Sequence, residues 1–248
     1  MKILGIIPAR YDSTRFPGKP LADILGKTMI QRVYEASTAV LANVVVATDD
    51  MRIYNNVERF GGKVIMTSEK HKSGTDRCVE ALEKFSNANN FSPDVVVNIQ
   101  GDEPFLKAEH LEKICNCFAD LSVQIATLAK PIKSEEELFN KNYPKVVLNN
   151  QSEAIYFSRS VIPYFRNKEK SEWHKNHEYY KHIGIYAYRT NVLQEISQLP
   201  LSVLEMAESL EQLRWIQNGY RIKLEITNTE TPSVDTPQDL ENIIKSFR

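Results

Sequence analysis

MKILGIIPARYDSTRFPGKP, residues 1–20, shows most directly which fold this chain takes. The apolar run Ile3–Ile7 predicts a buried strand, and it passes at once into a loop that carries the cations Arg10, Arg15 and Lys19. Ligands of open α/β sheets bind beyond the carboxyl ends of the strands. One cation 4 Å from a phosphate contributes roughly 4 kcal/mol of Coulomb attraction at an effective dielectric of about 20. The stretch therefore predicts an α/β fold with a polyphosphate site after its first strand, the alternative being a solvated basic loop.

Alternating apolar runs and helical patterns extend this arrangement along the chain. The early apolar runs are rich in β-branched residues without polar alternation, as expected for parallel strands covered by helices on both faces. We predict strands over 2–8, 43–48, 63–66, 94–99, 123–129, 145–149, 154–158, 181–189 and 220–226. We predict helices over 28–39, 51–60, 74–86, 107–119, 190–198, 203–217 and 237–247. Because no linker-like tract interrupts the chain, we expect one domain over 1–248 with a mixed, mostly parallel sheet.

Composition excludes several classes of function. The 31 Lys and Arg nearly balance the 32 Asp and Glu, and no basic stripe favours a nucleic-acid partner. The apolar runs are too short for a membrane span, and the first residues begin a strand rather than a secretory signal, so we expect a cytoplasmic protein. The three cysteines, Cys78, Cys115 and Cys117, are expected in helices as small core residues.

Two familiar nucleotide-binding motifs are not present, because the residues they require do not occur at the required spacing. Gly26-Lys27-Thr28 resembles the end of a P-loop, but Leu21 occupies the position of the required earlier glycine. No G-x-G-x-x-G sequence follows any predicted strand, so a dinucleotide-binding dehydrogenase is not supported. Gly18 instead suggests a loop whose backbone approaches its ligand closely.

Two separated aspartates suggest a magnesium site. Asp102 follows the buried strand that ends near Asn98, and Asp235 precedes the last predicted helix. Mg²⁺ in phosphate-handling sites usually takes one or two carboxylates together with substrate oxygens. The alternatives are a turn with Asp102 as a helix cap, and Asp235 or Thr236 as the cap of the final helix with Pro237 at its first position.

Other polar groups have both structural and functional interpretations. Ser73 and Arg77 at a predicted helix start can hold a base or phosphate, or Ser73 and Asp76 can form a capping box. His174, His177 and His182 match no zinc spacing, so we expect no zinc site there. By default, Arg159 at a strand end would be a surface ion-pair residue, and the segment 211–214 a solvated helix face.

Taken together, the motifs identify a family. The chain resembles the 3-deoxy-manno-octulosonate cytidylyltransferases, or CMP-Kdo synthetases, from end to end. The resemblance rests on segments that occur in the family's order, namely 7–21, 47–50, 66–77, 98–104, 156–163, 182–189, 211–214 and 234–237. Phe16, where leucine is usual, is a small departure.

The resemblance implies the fold, the reaction and the roles of individual residues. It implies a three-layer α/β sandwich of the nucleotide-diphospho-sugar transferase type, a homodimer, and a dimer-contact or substrate-covering insertion near 160–182. The implied reaction joins CTP and Kdo, with Mg²⁺, into CMP-Kdo and pyrophosphate for lipopolysaccharide synthesis. Implied contacts to CTP are Arg10, Ser13, Arg15, Lys19, Ser73, Arg77 and Asp102, of which Arg10, Lys19 and Asp102 are the catalytic residues. The implied magnesium ligands are Asp102 and Asp235. The implied contacts to Kdo are Gln100, Arg159, His182, Tyr186, Glu211 and Gln212.

Two other hypotheses stay open at this point. The same chemistry could serve sialic acid or an 8-amino analogue of Kdo, and only the motifs of the second half favour Kdo. A binding module without turnover would bind CTP but release no pyrophosphate with any sugar acid.

Overall fold

The computed structural model describes residues 1–230, 232 and 234–246. In chain order the strands are β1 (Ile3–Ala9), β2 (Asp23–Ile24), β3 (Lys27–Thr28), β4 (Val44–Thr48), β5 (Val64–Met66), β6 (Val95–Asn98), β7 (Ile125–Pro131), β8 (Lys145–Leu148), β9 (Ala154–Ser158), β10 (Tyr180–Arg189) and β11 (Ile222–Ile226). The α-helices are α1 (Met29–Thr38), α2 (Met51–Arg59), α3 (Gly74–Asn89), α4 (Ala108–Asn116), α5 (Glu135–Phe139), α6 (Trp173–Asn176), α7 (Thr190–Ser197), α8 (Val203–Glu208), α9 (Gln212–Gln217) and α10 (Pro237–Ser246). Residue 247, the last of the predicted final helix, lies outside the described residues.

The chain divides into two compact units. The N-terminal unit comprises Met1–Glu112 and Thr231–Arg248, and the C-terminal unit comprises Lys113–Glu230. The single domain over 1–248 therefore stays a prediction.

Parallel strands form the sheet of the N-terminal unit. The strand order is β6-β1-β4-β5, and every neighbouring pair is parallel. Leu4, Ile6 and Ile7 of β1 are fully buried, and all of β4 is buried, because α1, α2 and α3 pack against these strands. The carboxyl ends of β1, β4 and β6 therefore lie side by side, as the sequence predicts.

Mixed pairing characterises the C-terminal unit. Strand β7 pairs with β11 in parallel and with β10 antiparallel, and β8 pairs antiparallel with both β10 and β9. The register of β10 against β7 shifts between Ile183 and Tyr186, which marks a bulge. The predicted α/β class with mixed, mostly parallel strands and flanking helices is confirmed.

Some predicted elements are wrong in detail. The helix predicted over 203–217 is two helices, because Ser209 after α8 has a left-handed backbone with φ 52° and α9 begins only at Gln212. The stretch near 160–182, which the resemblance implies to be an insertion, contains buried residues. Its Trp173 and Tyr179 are buried with Ile132 and Leu138 in a small core of their own.

The cysteines behave as expected. All three are free and buried, and burial raises the pKa of the Cys115 thiol to about 11 and that of Cys117 to about 12. Such thiols stay protonated at neutral pH, so they are poor nucleophiles and metal ligands. Across the described part of the chain, no helix combines the length and apolarity needed to cross a membrane.

Candidate active site

A glycine closes the cationic loop that follows β1. Gly18 adopts φ +72° and its N–H donates to the Tyr11 carbonyl at 2.9 Å. A Cβ at this position would lie 3.1 Å from the Tyr11 ring, and L-residues rarely adopt this backbone conformation. A short 3₁₀ turn, Lys19–Leu21, begins directly after it. The glycine therefore sets where the side chain of Lys19 leaves the loop.

A cavity of about 290 Å³ lies beyond the ends of β1 and β6 and at the start of α3. It gathers every nucleotide and metal residue that the resemblance implies, and it also contains Gln100. The residues that line it are Pro8, Ala9, Arg10, Ser13, Arg15, Lys19, Pro20, His71, Lys72, Ser73, Gly74, Arg77, Gln100, Gly101, Asp102 and Asp235. Gly101 allows the two strand ends to approach, since a Cβ there would lie 3.1 Å from the Pro8 carbonyl oxygen.

Two carboxylates and two cations meet inside this cavity. Lys19 Nζ lies 2.7 Å from Asp102 Oδ2 and 3.6 Å from Asp235 Oδ1. Arg15 Nη2 lies 3.2 Å from the same oxygen of Asp235. The four formal charges cancel, so attraction to the two cations offsets the mutual repulsion of the aspartates. This quartet of Arg15, Lys19, Asp102 and Asp235 is called the ion cluster below.

The cap of the last helix explains why Asp235 is available. The Thr236 hydroxyl accepts from Asp239 N at 3.2 Å, while Asp239 Oδ2 accepts from Thr236 N at 2.8 Å. These reciprocal bonds make Thr236 the cap, so the carboxylate of Asp235 is left to the ion cluster. In addition, Val234 N donates to the Asp102 carbonyl at 3.0 Å, which ties the two aspartate-bearing segments together.

Helix α3 begins at the cavity with a complete capping box. The Ser73 hydroxyl accepts from Asp76 N at 3.1 Å, and an Asp76 carboxylate oxygen accepts from Ser73 N at 3.3 Å. The structural interpretation of Ser73 is thus confirmed. The functional one is compatible with it, because a helix N-terminus favours an anion nearby.

Arg77 lines the cavity, and two nitrogens of its guanidinium already have hydrogen-bond partners. The residue is only 4% exposed, and its guanidinium donates to Thr67 Oγ1 at 2.6 Å and to the carboxylate of Asp49. Asp49 directly follows β4, so the pair joins the edge of the sheet to α3. We infer that Arg77 supports the wall of the cavity. The sequence analysis did not predict this role of Asp49. The position of Asp49 directly after a buried strand could have indicated it.

A histidine in the C-terminal unit has a defined tautomer. The Thr127 hydroxyl lies 2.7 Å from the Ile185 carbonyl, which can only accept, and 3.0 Å from His182 Nε2. Since the single hydroxyl proton goes to the carbonyl, His182 Nε2 carries a hydrogen and donates to Thr127. Its Nδ1 is then an acceptor. Burial lowers the pKa of His182 to about 3, so the ring is neutral at physiological pH.

Aromatic and polar groups surround this histidine. The Tyr186 ring lies 5.2 Å from the ring of His182 and 5.0 Å from that of Trp215. Burial, together with the negative charge of Glu211, raises the pKa of Tyr186 well above its ordinary value. Within the described residues, Tyr186 Oη, Gln212 Nε2 and Trp215 Nε1 are buried without a hydrogen-bond partner. Such atoms are costly unless a ligand or water satisfies them. Trp215 is a residue that sequence reasoning missed, because its pattern indicates only a core position.

Three further polar residues of this unit, Arg159, Gln212 and Arg214, differ from expectation. The solvated helix face expected over 211–214 is wrong for Gln212 and Arg214, which are buried, and Arg214 pairs with Glu205 at 2.7 Å. Arg159 donates to the Glu208 carbonyl at 2.7 Å and to the Ser209 carbonyl at 3.2 Å. The guanidinium therefore braces the segment that links α8 to α9. It is not the surface ion pair that the default interpretation expected.

Comparison with known proteins agrees with this geometry. A family model described as cytidylyltransferase matches residues 4–224. A 3-deoxy-manno-octulosonate cytidylyltransferase of Parabacteroides distasonis is 60% identical over 98% of this chain and 97% of its own length. One of Bacteroides thetaiotaomicron is also 60% identical, over 98% of this chain and 96% of its own. The chain belongs to the 3-deoxy-manno-octulosonate cytidylyltransferase family. As a cytidylyltransferase it is a nucleotidyltransferase enzyme.

Two solved structures share the fold of this cytidylyltransferase. A CMP:2-keto-3-deoxy-manno-octonic acid synthetase complexed with CTP is 46% identical and superposes with a TM-score of 0.91 over 100% of this chain and 98% of that one. A 4-diphosphocytidyl-2C-methyl-D-erythritol synthase of Anaerococcus prevotii shares 11% identity with a TM-score of 0.64 over 99% of this chain and 96% of that one. At such low identity the second similarity shows the fold alone.

The shifted pKa of His182 predicts how the stability of this cytidylyltransferase depends on pH. An unfolded histidine titrates near 6.5, so below that pH the unfolded state binds a proton that the folded state binds only near pH 3. From pH 7 to pH 5 the free energy of unfolding should fall by at most about 2 kcal/mol through this residue, since water partly screens it.

Urea unfolding of wild type and His182→Gln at pH 7 and pH 5 measures this effect. The variant should lose less stability than wild type, while titration of other groups is common to both proteins. Equal losses in the two proteins would contradict a ring that stays neutral in the folded protein.

Proposed function

We propose that the enzyme transfers CMP from CTP to the anomeric hydroxyl of Kdo and releases pyrophosphate. The proposal that this cavity is the site of the reaction rests on one observation. The cavity gathers all the implied nucleotide and metal residues, including the ion cluster. A binding module has no need for paired carboxylates beside a triphosphate loop. Family membership over nearly the full chain supports Kdo above a related sugar acid.

The residues of the cavity fit a divalent cation. Both aspartates contact the same ammonium group, so their oxygens already converge on one cationic position. No group of three or more His, Cys, Asp or Glu side chains forms a metal site within the described residues. Asp102 and Asp235 would therefore hold Mg²⁺ together with phosphate oxygens and water, as this ion prefers. When bound, Mg²⁺ would neutralise phosphate charge and act as a Lewis acid toward the α-phosphate.

The side chains then have separable tasks. Arg10 and Lys19 neutralise the triphosphate and stabilise the negative charge that builds on the departing pyrophosphate. Ser13 and the start of α3 at Ser73 position the nucleotide through hydrogen bonds. Nδ1 of neutral His182 accepts a hydrogen bond from a hydroxyl of the sugar acid.

The step itself is a direct displacement. The anomeric oxygen forms a bond to the α-phosphorus, the bond from that phosphorus to the bridging oxygen breaks, and pyrophosphate leaves with the electron pair. The hydroxyl proton passes to solvent. Neither a Ser-His-Asp nor a Cys-His arrangement is evident in the sequence, so we propose no covalent enzyme intermediate.

Release of pyrophosphate tests the function. The enzyme is incubated with CTP and Mg²⁺, and with Kdo, its 8-amino analogue, sialic acid or no acceptor. We expect release to depend on an acceptor and kcat/KM to be highest for Kdo. Highest kcat/KM for another acid would move the assignment to that acid, and CTP binding without release in any arm would favour a binding module.

We also propose a homodimer that works in the cytoplasm. Support for the dimer comes from large apolar side chains that are exposed in the C-terminal unit, such as Tyr164, which is 71% exposed, and Ile155, which is 56% exposed. Tyr164 lies in the segment near 160–182 and contacts Trp173 with ring centroids 4.9 Å apart. A monomer in sedimentation equilibrium at micromolar concentration would contradict the dimer, and a non-cytoplasmic pool in cell fractionation would contradict the compartment.

A further inference from the structure

The ion cluster has a property that the proposed reaction does not by itself require. The ammonium of Lys19 contacts both aspartates, at 2.7 Å and 3.6 Å, and so occupies the position on which the proposed metal ligands converge. The Lys19 side chain is 16% exposed, whereas Arg15, the other cation of the cluster, is 65% exposed and pairs with Asp235 but not with Asp102 among the described contacts. Lys19 is therefore the principal counter-charge of the two carboxylates in the nucleotide-free enzyme.

A divalent cation cannot simply be added to this arrangement. Beside Lys19 and Arg15 it would raise the formal charge of the ion cluster from zero to plus two, and like charges at contact distance repel strongly in a partly buried site. For the metal to reach both aspartates, the ammonium must move. The four-carbon stem of lysine allows that movement without a change of the backbone.

A triphosphate supplies the reason to move. Arg10 and Ser13 line the same cavity as the ion cluster, so phosphates bound there lie within reach of the Lys19 side chain. A triphosphate brings three to four negative charges, which attract the ammonium. Its movement leaves Asp102 without a counter-charge and Asp235 with Arg15 alone. The carboxylates and the phosphates together then favour a divalent cation.

We propose that Lys19 occupies the metal position of the free enzyme and that nucleotide binding opens it, so that nucleotide and divalent cation bind with positive coupling. This inference rests on the metal site of the proposed function. By linkage, each ligand raises the affinity for the other by the same factor. The free enzyme is thereby kept from loading a metal that has no phosphate to act on.

Titration of the nucleotide-free enzyme with Mn²⁺, followed by electron paramagnetic resonance of the free ion, tests the proposal. Wild type should bind Mn²⁺ weakly. Lys19→Met, which removes the ammonium, should bind it about tenfold or more tightly. Lys19→Arg, which keeps a cation, should resemble wild type.

Two further variants test whether the change in Mn²⁺ affinity arises in the ion cluster. Lys27→Met removes a lysine of the same unit whose partner, Glu35, lies outside the cavity, and it should resemble wild type. Lys19→Met combined with Asp102→Asn should lose the gain, because one of the two carboxylates is gone. Lys19→Gln serves in place of Lys19→Met if the latter fails to give a cooperative thermal transition.

Equal Mn²⁺ affinity of wild type and both uncharged Lys19 variants would overturn the proposal, as would a gain that persists without Asp102. These outcomes are distinct from failure of the proposed function, which the pyrophosphate assay on wild type measures separately. An enzyme that makes CMP-Kdo but shows equal Mn²⁺ affinity in these variants retains its function and lacks the coupling.

Discussion

Replacing Asp102 with asparagine is expected to reduce kcat for CMP transfer by about 10³-fold or more. The substitution keeps the shape of the side chain and removes the charge that both Lys19 and the proposed metal require. Asp102 is partly exposed, so the free energy of unfolding should change by less than about 1 kcal/mol. Steady-state pyrophosphate release at saturating CTP, Kdo and Mg²⁺ measures kcat, and urea unfolding measures stability.

Glu103→Gln is the matched control for this prediction. It removes a carboxylate from the next residue, which is outside the set that lines the cavity, and kcat should stay within about threefold of wild type. Near-normal kcat in Asp102→Asn would contradict a metal role for this aspartate. A similar loss in both variants would indicate general sensitivity of the loop to charge.

Breaking the Asp49–Arg77 pair should produce the largest change in stability. Arg77 is buried, and the Asp49 carboxylate is its only charged partner among the described contacts. Asp49→Ala therefore leaves a buried guanidinium without a counter-charge, which costs about 3–5 kcal/mol. Lys27→Met breaks an exposed pair with Glu35 and should cost less than about 1 kcal/mol.

A double-mutant cycle separates support from direct nucleotide binding. If Arg77 supports the wall, Arg77→Met in the Asp49→Ala background should restore part of the lost stability, because the unpaired charge is removed. The measurements are urea midpoints and KM for CTP in the two single variants and the double variant. A stable Arg77→Met with a hundredfold increase in KM for CTP would instead make Arg77 a direct ligand of the nucleotide.

Strand positions were predictable because burial on both faces leaves a clear apolar signal. Strand β9 was predicted with its observed bounds, Ala154–Ser158, and β4 differs from its prediction by one residue. The candidate nucleotide site followed from the same signal. Residues placed directly after β1 and β6 must meet at one sheet edge, and Lys19 and Asp102 do so although 83 positions separate them.

Details that depend on competition between neighbouring side chains were not predictable. Either Asp235 or Thr236 could have capped α10, and the choice rests on the reciprocal bonds between Thr236 and Asp239. At the bulge of β10, the Ile185 carbonyl accepts from the hydroxyl of Thr127, a residue 58 positions earlier. Nothing in the local pattern around either residue indicates that contact.

The pairing of the loop cations with the two aspartates could not be predicted from the sequence either. The sequence predicts three cations for a polyphosphate and two aspartates for a metal as separate groups. In the free protein Arg15 and Lys19 of the first group neutralise the second. Only the distances between these side chains reveal that two cations of the loop pair with both aspartates.

The most direct test of the account is phosphorus NMR of the reaction mixture. Wild-type enzyme with CTP, Mg²⁺ and Kdo should convert the three CTP resonances into one phosphodiester resonance and pyrophosphate in a one-to-one molar ratio. The conversion should require Kdo and should be absent in Asp102→Asn. Formation of free CMP or CDP without Kdo, or unchanged CTP in the complete wild-type mixture, would contradict it.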